Sequence, residues 1–187
     1  MESTGTQWID TGVVLFPISY ELKLQIKNIE TNQAFLGTLK NGATTGNDYE
    51  YQIGVAKYFY LVNTVAVISN EMPTTEIYNI VGKIDSLSTV NFIKNNGHNL
   101  EISRTAVRDI TPINPILIFN RYSANTMQYA SDIKLYSAKF WQDDILVRDF
   151  IPVLDKDGVP CMYDKVEHKF YYNAGTGDFI AGPIIGE

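Results

Sequence analysis

Close to the C-terminal end, Tyr171-Tyr172-Asn173-Ala174-Gly175-Thr176-Gly177 sets a Gly-x-Gly string beside paired tyrosines, a combination able to cradle a phosphate. Phosphate capture by such a string needs a helix opening at the glycines, whose free N–H groups and dipole hold the anion. The residues that follow, Asp178-Phe179-Ile180-Ala181-Gly182-Pro183, cannot build that helix. There is no Lys-Ser or Lys-Thr pair of a P-loop, and no βαβ unit fits around the motif. The string is expected to be a glycine turn between two short extended segments.

Other chemistry is sparse. Acid–base hydrolysis of a glycosidic bond needs two carboxylates held at a set separation, but Glu50, Glu76 and Glu101 each stand alone among neutral neighbours. They read as solvated strand residues, although separate strands can bring carboxylates together. Cys161 has only His98 and His168 as candidate bases, and a buried structural thiol is the expectation. No Gly-x-Ser-x-Gly elbow occurs. Asp155-Lys156-Asp157-Gly158 offers the clustered oxygens that calcium prefers, without the third acid and distant Glu of an EF-hand. Asp155 and Asp157 are the candidate metal ligands. The histidines give no transition-metal signature.

A binding surface is better supported. The glycine loop Asn41–Asn47 can bring backbone close to a partner, and it runs directly into Tyr49 and Tyr51. Strand alternation would set Tyr58 and Tyr60 on one face, with Phe59 and Leu61 on the other. Asn120, Arg121 and Tyr122 carry similar chemistry at the end of a later apolar run, and Tyr122 and Tyr129 flank a polar loop. Sugar rings pack on aromatic faces while amides take their hydroxyls, so Asn47, Tyr49, Tyr58, Tyr60, Asn120, Arg121 and Tyr122 form the candidate ligand set. The same tyrosines would equally suit the border of a core, with their hydroxyls in water.

Strands must position all of these groups. Leu22, Leu24 and Ile26 alternate with Glu21, Lys23, Gln25 and Lys27 in an extended run from Val13 to Asn28. Further extended runs are Phe35–Leu39, Tyr49–Val55, Lys57–Val62, Val65–Ser69 and Glu76–Ile84, followed by Ile116–Arg121. Asn95-Asn96-Gly97 marks a hairpin between Val90–Lys94 and His98–Ser103. Gln142-Asp143-Asp144 marks another, between Asp132–Trp141 and Ile145–Ile151. No convincing helix is visible beyond a short turn near Asp85-Ser86-Leu87. Many strands without βα alternation indicate an antiparallel sandwich or barrel, and 187 residues favour a large sandwich of one domain, 1–187. Lys+Arg 15 against Asp+Glu 21, net charge -6, argues against nucleic acid as a partner. No apolar stretch approaches a bilayer span, and the first residues lack the pattern of a signal peptide.

The segments Glu2–Gly12, "ESTGTQWIDTG", and Ile145–Gly182, "ILVRDFIPVLDKDGVPCMYDKVEHKFYYNAGTGDFIAG", resemble a laminin-G-like jelly-roll family of the concanavalin A-like lectin and glucanase superfold. The middle of the chain matches only in strand pattern and in "FLGTLKNG". The resemblance implies an all-β, two-sheet antiparallel jelly-roll sandwich in which the C-terminal segment closes beside the N-terminal one. It also implies a setting in phage tail or virion proteins, or in surface proteins of gut bacteria, hence a virion or extracellular location. A glucanase of this superfold would carry Glu-x-Asp-x-x-Glu or Glu-x-Asp-x-Glu on one strand, which is absent here, so no catalytic activity is expected. The expected partner is a cell-surface glycan or another virion or surface protein, with self-association left open. No cofactor is implied, and calcium at a loop rim is the one candidate ion.

Overall fold

The computed structural model describes residues 1–14, 17–29, 32–39, 50–63, 65–85, 88–95, 99–105, 114–123, 126–128 and 130–183. Among them there is no helix, and so none long and apolar enough to cross a membrane. Two antiparallel sheets pack as a sandwich. Numbered along the chain, the six-stranded sheet runs β1 (Ile9–Asp10), β10 (Leu117–Ile118), β3 (Gln33–Leu39), β4 (Glu50–Ala56), β5 (Tyr58–Asn63), β6 (Val65–Ile68). The eight-stranded sheet runs β16 (Lys169–Tyr171), β15 (Pro160–Asp164), β14 (Ile145–Leu154), β13 (Ile133–Gln142), β2 (Ile18–Ile26), β7 (Ile77–Ile84), β8 (Ser88–Lys94), β9 (Asn99–Thr105). A two-stranded ribbon, β11 (Arg121–Ser123) and β12 (Thr126–Gln128), pairs strand to strand with neither sheet.

Alternation builds the core. In β2 the buried residues Ile18, Tyr20, Leu22, Leu24 and Ile26 face inward, and β7 does the same with Tyr78, Ile80 and Ile84. The opposing sheet answers with Tyr51, Ile53 and Val55 of β4 and with Phe59 and Leu61 of β5. Rings meet across the gap: Tyr20 and Tyr51 edge to face at 6.1 Å, Phe59 and Tyr78 at 5.2 Å. A hydroxyl inside a core needs a partner. Tyr20 and Tyr51 satisfy each other and Asn91 Oδ1, and burial raises both phenols well above their ordinary range.

The β13–β14 hairpin forms where Asp143-Asp144 was expected to turn the chain. Both residues take positive φ, 48° and 64°, a conformation short polar side chains tolerate better than most. The turn residues of the β8–β9 hairpin, 96–98, and the turn candidates Ser86-Leu87 lie outside the described residues. The expected strand Ile116–Arg121 is broken in two. Phe119 has φ 71°, which ends β10 and redirects the chain into β11. What holds it there is long-range: its N–H donates to Phe35 O at 2.9 Å, its carbonyl accepts from Ser131 N at 2.8 Å, and its ring lies 5.2 Å from that of Phe179.

The two ends of the chain meet. Ala174 N donates to Trp8 O at 2.9 Å and Thr176 N to Thr6 O at 3.0 Å, while Glu2 and Ile180 exchange backbone bonds at 2.9 and 3.0 Å. The glycine string of residues 173–177 thus serves as a backbone seam. Phe179 beyond it is buried in the core.

Candidate functional site

Because Tyr51, Ile53 and Val55 face inward, Gln52 and Gly54 face outward from the six-stranded sheet. The β11–β12 ribbon lies across this outer face: a Cβ on Gly37 would stand only 2.6 Å from the Cβ of Arg121. Glycine is what allows that approach. Arg121 Nη1 donates to Gln52 Oε1 at 2.8 Å, Gln52 Nε2 donates to the Tyr60 hydroxyl, and Tyr60 donates to Gln33 O at 2.8 Å. Gln33 Oε1 in turn accepts from Asp132 N at 2.7 Å. Arg121, Gln52, Tyr60 and Gln33 are all buried. A buried guanidinium is tolerable only when hydrogen-bonded, so this polar chain pins the ribbon to the sheet.

Of the candidate ligand set, the fold joins Arg121 to Tyr60 through Gln52, a residue that nothing local in the sequence distinguishes. Tyr60 is buried and uses its hydroxyl internally, so it offers no open ring face. Alternation placed it correctly on the outer face, but that face is covered at this point. Tyr58, on the same side of β5, is half-buried, and Lys57 Nζ lies 5.7 Å from its ring centre. Asn120 is buried, and its Oδ1 accepts from Arg121 N at 2.7 Å, a local turn bond. Tyr122 has its backbone in β11, with its side chain outside what is described. Asn47, Tyr49 and the glycine loop also lie outside the described residues.

Asp155, Asp157 and Glu76, candidates for metal binding or hydrolysis, have other partners. Asp155 Oδ1 accepts from Asp157 N and Val159 N, each at 2.9 Å, and Oδ2 accepts from Tyr172 Oη at 3.0 Å. The N–H of Val159, with those other donors, holds the Asp155 carboxyl below its usual range. Asp157 pairs with Lys156 at 2.7 Å. Among the described residues, no group of three or more His, Cys, Asp or Glu side chains could hold a metal ion. Glu76 accepts from Asn95 at 2.9 Å, Glu101 is exposed on β9, and the Glu50 side chain lies outside the described residues. Cys161 is buried, and burial pushes its thiol up to about 11. His168 engages Tyr163, at 3.2 Å between Nδ1 and the phenol; His98 lies outside the described residues.

The C-terminal motif forms a clasp. Arg148 sends Nη1 to Glu167 at 2.7 Å and Nε to Thr11 O at 3.1 Å, and it ion-pairs with the fully buried Asp164 at 3.6 Å. Asp164 Oδ1 accepts from Asp149 N at 2.9 Å and Val166 N at 3.0 Å. Tyr171 donates to Glu167 Oε2 at 2.7 Å, which holds that carboxyl below its ordinary value, while burial lifts the phenol up to about 12. These residues tie strands together. Comparison with known proteins finds no family that matches this chain and no curated protein similar to it.

Proposed function

We propose that this chain is a non-catalytic recognition domain of the laminin-G-like, concanavalin A-like jelly-roll kind, binding carbohydrate at a cell surface as part of a phage virion or tail or of a bacterial surface protein. The observation that carries this reading is the Arg121–Gln52–Tyr60 chain. It holds the β11 ribbon, with Tyr122 next in sequence, on the sheet face that also presents Tyr58. Rigid support beneath a partly exposed aromatic ring is what a weak, selective sugar site requires. The nested pairing also suits a jelly roll: β2 lies between β13 and β7, and β3 lies between β10 and β4.

A glycan array with the whole chain tests the reading. Saturable binding should weaken several-fold in Tyr58→Ala, since stacking on one ring is worth on the order of 1 kcal/mol, with the melting temperature little changed. Binding unaffected by Tyr58→Ala would remove this face from consideration. A rival reading, a structural or decoration module of a virion, draws support from the burial of Tyr60, Asn120 and Arg121, whose polar groups bond within the chain. Silence across bacterial surface glycans, together with stable capture by another virion protein, would select that rival.

A further inference from the structure

The eight-stranded sheet carries a feature independent of that site. On its outer face, at the β16 end, the register sets Ile151, Tyr163 and Phe170 side by side across β14, β15 and β16. Tyr172, two residues beyond Phe170, continues the strip on the same side. Ring centres are 5.2 Å apart for Tyr163 and Phe170, and 6.4 Å apart for Phe170 and Tyr172. Phe170 is 41% exposed and Tyr172 49%, whereas Tyr171 between them turns inward onto Phe150, at 5.0 Å.

Aromatic rings gathered into one strip facing water, with polar groups at their border, mark a candidate interaction feature. Here the rings are held in place. Tyr172 donates its hydroxyl hydrogen to Asp155 at 3.0 Å, and the Tyr163 hydroxyl is hydrogen-bonded to His168 Nδ1 at 3.2 Å. Ring edges are thereby anchored, and polar groups stand beside apolar faces.

We propose that this strip is a carbohydrate-binding platform, on which a short run of uncharged pyranose rings stacks over Tyr163, Phe170 and Tyr172, with sugar hydroxyls meeting the Asp155 carboxylate and the His168 imidazole. Three observations select that occupant. The exposed fractions of Phe170 and Tyr172, applied to about 150–250 Å² per aromatic residue, leave roughly 140–220 Å² open on those two residues. A stable protein interface needs about 800 Å² from each partner. Addition of a strand from another chain is opposed by the edge itself, since β16 has only 3 residues and begins with Lys169. Two lysines that border the strip are already paired, Lys165 with Asp149 at 3.0 Å and Lys156 with Asp157 at 2.7 Å, so neither is left to call for an anionic ligand.

The test uses the whole chain with hexasaccharides of the cello-, xylo-, manno- and galacto- series as probes, read first by backbone amide NMR. At least one hexamer should produce saturable shifts centred on residues 151–172. Phe170→Ala and Tyr172→Ala should each weaken that binding several-fold, and Phe170→Tyr, which keeps the ring, should retain it. Tyr58→Ala should leave it unchanged, so the two faces are separable. No shifts with any hexamer would overturn the proposal, as would shifts confined to β3–β5 and lost in Tyr58→Ala, which would leave the six-stranded face standing alone. Self-association of the wild type that disappears in Phe170→Ala would also overturn it, marking the strip as a contact between copies.

Discussion

Gly175→Ala tests the reading of the glycine string as a seam. A Cβ at this position would lie 2.1 Å from Thr6 O and 2.6 Å from Cε3 and Cζ3 of Trp8. The obstacle is backbone plus a half-buried indole, so neither can swing aside cheaply. Relief requires the 173–177 turn to lift from residues 6–8, loosening Thr176 N to Thr6 O, Ala174 N to Trp8 O and Trp8 N to Asn173 Oδ1. Overpacking costs about 1–3 kcal/mol, and each weakened hydrogen bond adds up to about 1 kcal/mol, so a loss of about 3–4 kcal/mol is expected. For a chain of this length that corresponds to a fall of about 6–16 °C in melting temperature. Gly158→Ala is the control: its φ of +80° brings strain, but nothing lies within 4 Å. It should cost about 1–2 kcal/mol from backbone strain alone. Calorimetry or thermal circular dichroism on both variants reads the contrast. A Gly175→Ala melt equal to wild type, or higher than that of Gly158→Ala, would refute the seam.

Phe179→Ala removes a ring that is 4% exposed and packed on Phe119, and it should destabilise by about 3–5 kcal/mol in denaturant unfolding. A loss below about 1 kcal/mol would mean the tail is an ornament. Acid should loosen the C-terminal hairpins first. Glu167 and Asp155 have folded carboxyl values below their unfolded ones, so their contribution is present above the unfolded value of about 4 and is lost as pH falls through the folded values. Melting temperature followed from roughly pH 6 to pH 3 should therefore fall more steeply for wild type than for Glu167→Gln, and less steeply in high salt, because Glu167 is partly exposed. Parallel curves would show that the Glu167 pairing contributes nothing to stability.

Much of the architecture is written locally. A period of two along Tyr20–Ile26 and Ile77–Ile84 says which side chains go inward, because a pleated strand has only two faces and one of them must be dry. The same logic located the β13–β14 hairpin, and the glycine string was legible as a turn because no helix could follow it. What alternation cannot say is whether the outward face meets water or another part of the chain. Tyr58 and Tyr60 are equivalent in the sequence, yet Tyr60 is buried, bonded to Gln33, 27 residues away, and to Gln52, which Arg121 of a distant ribbon holds. Gln52 gained its role the same way, and Phe119 turned left-handed only because Phe35, Ser131 and Phe179 hold it from afar. The aromatic strip on β15–β16 is the reverse case: residues whose composition suits a core are left facing water where none of the described residues covers the sheet. Local sequence determines the period of a strand; long-range packing decides what covers it, since cover depends on contacts that no window of neighbouring residues contains.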